Sequence, residues 1–331
     1  MRNFTGLEYL YIDIANQYGL DKENWDTRIQ WTKDNEPDLE NQVHLADDPV
    51  LYTKAVKVLR DTQAGKWTGF IMGLDATASG YQIMSAVIGD AVGASNVNLL
   101  DTGKREDIYS KIAAYMNLNY GTNVDRKTVK KPIMTVGYGS QRQPAEIFGE
   151  DTPELEAFYD AMNAELPGGM TLMADMLNCR DRYNATEYRW TLPDGHKVVS
   201  KIMVLDHEEI ELNDMDSTKF HYSSYVNKPD PNNMSLAANI VHSIDGYIVR
   251  EMLRRTRAQK VQMAAIHDSF WSHPNDMNHI RRNYIEIMAE LADSNVMRDI
   301  FREVTNNPKL GFSKYSNTLG NAIRQSEYAL S

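Results

Sequence analysis

The chain has a single cysteine, Cys179, among 331 residues. That excludes an internal disulfide framework and fits a reducing compartment. Its neighbours Asn178 and Arg180 complete no catalytic thiol motif, so the thiol reads as structural. No apolar run approaches the roughly 20 residues of a membrane-spanning helix. The opening segment Met1 to Glu8 carries an acid and no apolar core, so no signal peptide is expected, and with the single cysteine a cytoplasmic setting fits. Positive charge is also short: 35 Lys and Arg stand against 46 Asp and Glu, a net charge of −11. This argues against a general nucleic-acid-binding surface. Walker and dinucleotide glycine patterns are missing, as is the Gly-x-Ser-x-Gly elbow of serine hydrolases. His267, His273 and His279 share no helical or strand face and lack the tight pairs of a zinc site.

The scarce cations are clumped. Arg126, Lys127, Lys130 and Lys131 form one group, and Arg250, Arg254, Arg255, Arg257 and Lys260 another. A local basic channel in an acidic protein is therefore compatible with the totals. The length exceeds that of a usual single domain, so two lobes are expected.

The pattern is α+β and mostly helical. Helices are expected from Tyr9 to Tyr18, from Asp21 as a cap into Trp25, from Asp48-Pro49 to about Arg60, and from Lys104 to Met116. Two more are expected over 152–165 and 171–182, a long amphipathic one over 234–259, and others over 276–292 and 295–304. Thr68 to Asp75 reads as a buried strand. Glu187 to Val204 reads as a hairpin around Pro193-Asp194-Gly195, and Val261 to Trp271 as two short strands around His267-Asp268-Ser269. Residues 206–233, polar and proline-bearing, read as a loop arm. Pro132 predicts a kink or a late helix start.

Three stretches carry candidate chemistry. Asp75 ends the first strand and precedes a small-residue turn, Ala76-Thr-Ala-Ser79-Gly80. Asp268 sits in the tight turn between the later strands. Taken alone, each acid is more often a turn or capping residue. As a pair about 4 Å apart they would repel by roughly 4 kcal/mol at an effective dielectric of 20, so they need neutralising. Two Mg²⁺ ions do this and serve in-line phosphoryl transfer. The third stretch runs from Arg126 to Gly139. On a helix Arg126 and Lys130 share a face, suited to a triphosphate, and Tyr138-Gly139 could stack on a base.

In this order the three stretches resemble the single-subunit RNA polymerases of bacteriophages and mitochondria. Asp75 with Ser79-Gly80-Tyr81-Gln82 is similar to the family's first catalytic motif. Arg126, Lys130, Tyr138 and Gly139 are similar to its fingers helix, and His267-Asp268-Ser269 to its second acidic motif. Val97 to Leu100, Asp107-Ile108-Tyr109, Val241-His242-Ser-Ile-Asp245-Gly246, Gly19-Leu-Asp-Lys22 and Ile323 to Ser331 extend the resemblance over nearly the whole chain.

The resemblance implies a palm of small antiparallel sheet and helices, and helical fingers, with no thumb or N-terminal domain. Residues 1–91 and 243–331 would form the palm and 92–242 the fingers. It implies Asp75, Asp268 and the backbone carbonyl of Ala76 as metal ligands. Lys22, Tyr109, Arg126, Lys130, Tyr138 and His242 would meet the incoming nucleotide, with His242 on its ribose or minor-groove side. DNA template, RNA product and nucleoside triphosphates are the implied ligands. A second subunit supplying the missing half, a recruiting factor and an infected bacterial cytoplasm are further expectations. A related DNA polymerase or primase would place a glutamate where Gly80 stands, and a silent scaffold would not need these residues together.

Overall fold

The computed structural model describes residues 1–212 and 218–331. The chain opens with helices α1 (Gly6–Ala15), α2 (Trp25–Asn35) and α3 (Pro49–Gln63). Thr5 and Glu8 form a reciprocal capping box at α1, and the Asp48 side chain caps α3 ahead of Pro49. Asp21 is not a helix cap: Asn24 precedes α2, because a π-helical turn over Asn16–Leu20 first redirects the chain, with Gly19 at φ +114°.

Strand β1 is only Met72–Asp75 and leads into α4 (Ser79–Ile88), a helix buried along its whole length. Helices α5 (Ala91–Asn96), α6 (Ile108–Tyr120), α7 (Arg126–Val136), α8 (Arg142–Phe148), α9 (Pro153–Glu165) and α10 (Pro167–Asn178) follow. Pro132 does not delay α7, which begins at Arg126 and runs through the proline to Val136. Val129, Pro132, Ile133 and Val136 are all buried, so core burial along one face outweighs the hydrogen bond the proline removes.

Strands β2 (Glu187–Thr191) and β3 (Lys197–Lys201) pair across the Pro-Asp-Gly turn as expected. Residues 206–212 and 218–227 are strand and not the loop arm expected over 206–233, while 228–233 are irregular as expected. Strands β4 (Met203–Leu212) and β5 (Thr218–Asn227) form a long antiparallel hairpin, whose expected loop residues 213–217 lie outside the described residues. Its strands pair with each other rather than with the core sheet, which left no buried face to give an alternating signal.

The long helix α11 (Ser235–Ala258) leads to β6 (Ala264–Ile266) and β7 (Ser269–Ser272). Helices α12 (Met277–Asp293), α13 (Val296–Val304) and α14 (Leu319–Ile323) complete the chain. One antiparallel sheet, in the order β1-β7-β6, joins residues almost two hundred positions apart. Helix α4 packs among α10, α11 and α12 behind it. Gln82 on α4 fastens this core: its amide donates to the carbonyls of Val97 at 2.8 Å and Ala329 at 2.9 Å, and its oxygen accepts from the Tyr284 hydroxyl at 2.5 Å. The fold is therefore α+β and mostly helical. Among the described residues no helix is long and apolar enough to cross a membrane.

Candidate active site

The sheet brings the two acids side by side. Asp75 pairs in register with Ser269, the residue after Asp268, and the Ala76 amide donates to the Asp268 carbonyl at 3.1 Å. On the other side of this strand end the Ser331 amide donates to the Asp75 carbonyl at 3.0 Å, and Ala76 bridges to Leu330. A non-glycine residue in the left-handed region stands close to each acid: Ala78 at φ +52° and His267 at φ +54°. Such backbone persists only where the surroundings hold it, and it clusters at functional sites.

Burial pushes the Asp268 carboxyl above its ordinary range, and the neighbouring charge of Asp75 adds to this. The Asp245 carboxyl on α11 is pushed up to about 7 by burial and by Asp268. Three buried polar atoms close to the acids, Thr77 Oγ1, Ser269 Oγ and Trp271 Nε1, have no hydrogen-bond partner among the described residues. Among the described residues no three His, Cys, Asp or Glu side chains are grouped to hold a metal ion.

Facing the acids is α7. The Arg126 Nε donates to Asp107 at 2.6 Å, and its guanidinium lies 5.2 Å from the centre of the Tyr109 ring. Lys130 Nζ stands 5.9 Å from the same ring, so two cations one helical turn apart share one aromatic floor. Burial alone would raise the Asp107 carboxyl, but hydrogen bonds from Arg126 and Ser110 outweigh it and hold the group below its ordinary value. Helix α7 ends at Val136, and Tyr138 leaves the following turn to stack on His242 of α11, with ring centres 4.6 Å apart and planes 16° from parallel. A Cβ at Gly80 would stand 3.4 Å from the Tyr138 hydroxyl. Lys22 pairs with Asp21 at 3.1 Å on the rim.

The nine residues given a metal or nucleotide role from the sequence (Lys22, Asp75, Ala76, Tyr109, Arg126, Lys130, Tyr138, His242 and Asp268) line one cavity of about 660 Å³, while Gly139 lies outside its lining. That volume lies within the ordinary range of ligand sites. The same cavity holds Arg105, Asp107, Asp245 and Trp271, to which no role was given from the sequence. Asp245 had a readable signal: it follows His242 by three positions, which on a helix is the same face. Asp107 lay in the Asp107-Ile108-Tyr109 segment of the resemblance, but its pairing with Arg126 was not readable, and Arg105 had no signal, because nothing local says that α6 and α7 lie side by side.

The family model of DNA-dependent RNA polymerase matches residues 3–150 and 154–328. A DNA-directed RNA polymerase of Pseudomonas phage phiKMV is 25% identical, over 87% of this chain and 44% of that relative. DNA-directed RNA polymerase 1, mitochondrial, of Nicotiana sylvestris is 24% identical, over 89% of this chain and 35% of its own length. DNA-directed RNA polymerase 3, chloroplastic, of the same plant is 23% identical, over 93% of this chain and 37% of its own length. The chain thus spans less than half the length of these relatives. With the matched residues covering both acids, the α7 cations and the stacked Tyr138–His242 pair, the chain belongs to the DNA-dependent RNA polymerase family.

Proposed function

We propose that this chain is the catalytic part of a DNA-dependent RNA polymerase. It transfers nucleotidyl groups from ribonucleoside triphosphates to an RNA 3′ end on a DNA template. The observation that carries this reading is the meeting of Asp75 and Asp268 on adjacent strand ends, opposite Arg126 and Lys130, in one cavity.

Two Mg²⁺ ions fit the donor set. The carboxylates of Asp75 and Asp268 and the backbone carbonyl of Ala76 would hold them, hard oxygen donors of the kind Mg²⁺ takes, with substrate phosphates and water completing the shell. The raised Asp268 carboxyl and the unpartnered polar atoms of Thr77, Ser269 and Trp271 agree with a site that gains a charged occupant. When bound, magnesium supplies charge stabilisation at the attacking and leaving oxygens.

The chain's own side chains do the remaining work. Arg126 binds phosphate oxygens through the part of its fork that Asp107 leaves free, and Lys130 adds a point charge one turn later. Lys22 meets the phosphates from the rim. Tyr109 supports both α7 cations from below. Tyr138 and His242 face the sugar, and the missing side chain at Gly80 leaves room there for a 2′-hydroxyl.

In this reading residues 1–91 and 243–331 form a palm around the β1-β7-β6 sheet, and residues 92–242 form fingers that include the β4–β5 hairpin. A second polypeptide supplies the part that longer relatives carry in one chain, and a recruiting factor brings the pair to DNA. The test is extension of a primed RNA–DNA scaffold with ribo- and deoxynucleotides, with and without a candidate second polypeptide. Magnesium-dependent RNA synthesis supports the reading. No synthesis in either setting, with the fold intact, removes it. Specific initiation on duplex promoter DNA by this chain alone removes the second polypeptide.

A further inference from the structure

Four cations line the cavity, and they differ in what already holds them. Lys22 is paired with Asp21, and Arg126 with Asp107. Lys130 rests against Tyr109. Arg105 stands in the bend before α6, fixed at both ends. Its backbone amide donates to Asn24 Oδ1 at 2.9 Å, and its Nε donates to Ser331 Oγ at 3.1 Å. Among the described residues its two terminal amino groups have no hydrogen-bond or ion-pair partner, neither is among the fully buried unpartnered atoms, and the residue lines the cavity. A guanidinium anchored through Nε and open at both terminal nitrogens is the fork that grips one phosphate in bidentate fashion.

Its position along the cavity narrows the ligand. Along α7 the order is Tyr138 just past its C-terminal end, stacked on His242, then Lys130, then Arg126 in the first turn, both cations against Tyr109. Arg126 is bonded to Asp107 at 2.6 Å, two residues from Arg105. The Arg105 amide is in turn bonded to Asn24, two residues from Lys22. The side chains therefore run in order from the Tyr138–His242 stack, through Tyr109 with Lys130 and Arg126, to Arg105 on the Lys22 side. A nucleotide whose sugar meets Tyr138 and His242 extends its phosphates along this row and ends at Arg105.

We propose that Arg105 reads the terminal phosphate, making it the residue by which this site prefers nucleoside triphosphates over diphosphates. The assignment rests on the nucleotide reading above and adds to it a residue that the α7 motif does not contain. Arg126 and Lys130 contact phosphates that a diphosphate also carries; Arg105 contacts one that only a triphosphate places there.

The full chain is titrated with GTP, GDP and GMP in magnesium, by calorimetry, for the wild type and for Arg105→Gln and Arg105→Lys. The wild type is expected to favour GTP over GDP by at least about tenfold, the size of one charged hydrogen-bonded contact. Arg105→Gln is expected to bring that ratio near one while leaving GMP affinity unchanged, and Arg105→Lys to keep part of it. An unchanged ratio in Arg105→Gln, alongside wild-type RNA synthesis, overturns the role of Arg105 and leaves the polymerase reading standing. Equal loss of GTP, GDP and GMP binding in both variants overturns it too, in favour of a purely structural arginine. Absence of nucleotide binding in the wild type overturns both.

Discussion

Tyr138 and His242 meet face to face, 4.6 Å between ring centres, although one follows α7 and the other lies on α11. Burial raises the Tyr138 hydroxyl above its ordinary value, with the acids Asp245 and Asp268 adding to the shift, so it stays protonated at neutral pH. It is a hydrogen-bond donor at the sugar side of the proposed nucleotide.

Tyr138→Phe keeps the stack and deletes the donor. The preference for ribo- over deoxynucleotides in kcat/KM is expected to fall by about tenfold or more, the size of one net hydrogen bond. Competing single-nucleotide extensions measure it, and unchanged sugar selection would remove Tyr138 from that role.

Asp75→Asn and Asp268→Asn retain size and shape but lose the charge that would hold magnesium. Each is expected to lower primer extension by about a thousandfold, roughly 4 kcal/mol of transition-state stabilisation. Thermal stability is expected to hold or rise in Asp268→Asn, since the native carboxyl already pays for burial beside Asp75. Extension rates and melting curves on the same preparations check both halves.

The Asp107–Arg126 pair sets an acid limit. The folded carboxyl is held below its ordinary 3.8, so its contribution is present above that value and is lost as pH falls through the folded pKa. The pair is partly exposed, at 19% and 34%, so its contribution is about 1 kcal/mol. Asp107→Asn is expected to lose this at pH 7 and to match the wild type near pH 2 in urea unfolding. It is also expected to raise KM for nucleotide, because Arg126 is no longer held.

Asp13 on α1 has the opposite sign. Burial raises its carboxyl from 3.8 to about 7, against a single hydrogen bond from Gln17 at 3.1 Å. The folded state binds the proton more tightly, so stability is full below about pH 4 and declines as pH rises to 7. The shift corresponds to at most roughly 4 kcal/mol. Asp13→Asn is expected to recover much of it at pH 8 and little at pH 4, as read from unfolding midpoints at the two values.

Locally encoded features were legible. The Asp48-Pro49 start of α3, the Pro-Asp-Gly turn and the two strands around Asp268 each carry their signal within a few residues. What failed needed information from elsewhere in the chain. Pro132 reads as a breaker until the buried face of α7 is known. The β4–β5 hairpin has no buried face to impose period two. The adjacency of Asp75 and Asp268 followed from a family resemblance and not from spacing, because a β1–β7 pairing leaves no local mark. Arg105 was missed for the same reason: its anchor, Ser331, lies at the far end of the sequence.

The amide of Gln82 is divided among Val97, Tyr284 and Ala329, and the Asp75 strand end is latched by Ser331. Residues 329 to 331 thus fasten both the central helix and the strand that aims Asp75, so a change in how this segment docks reaches the catalytic frame directly.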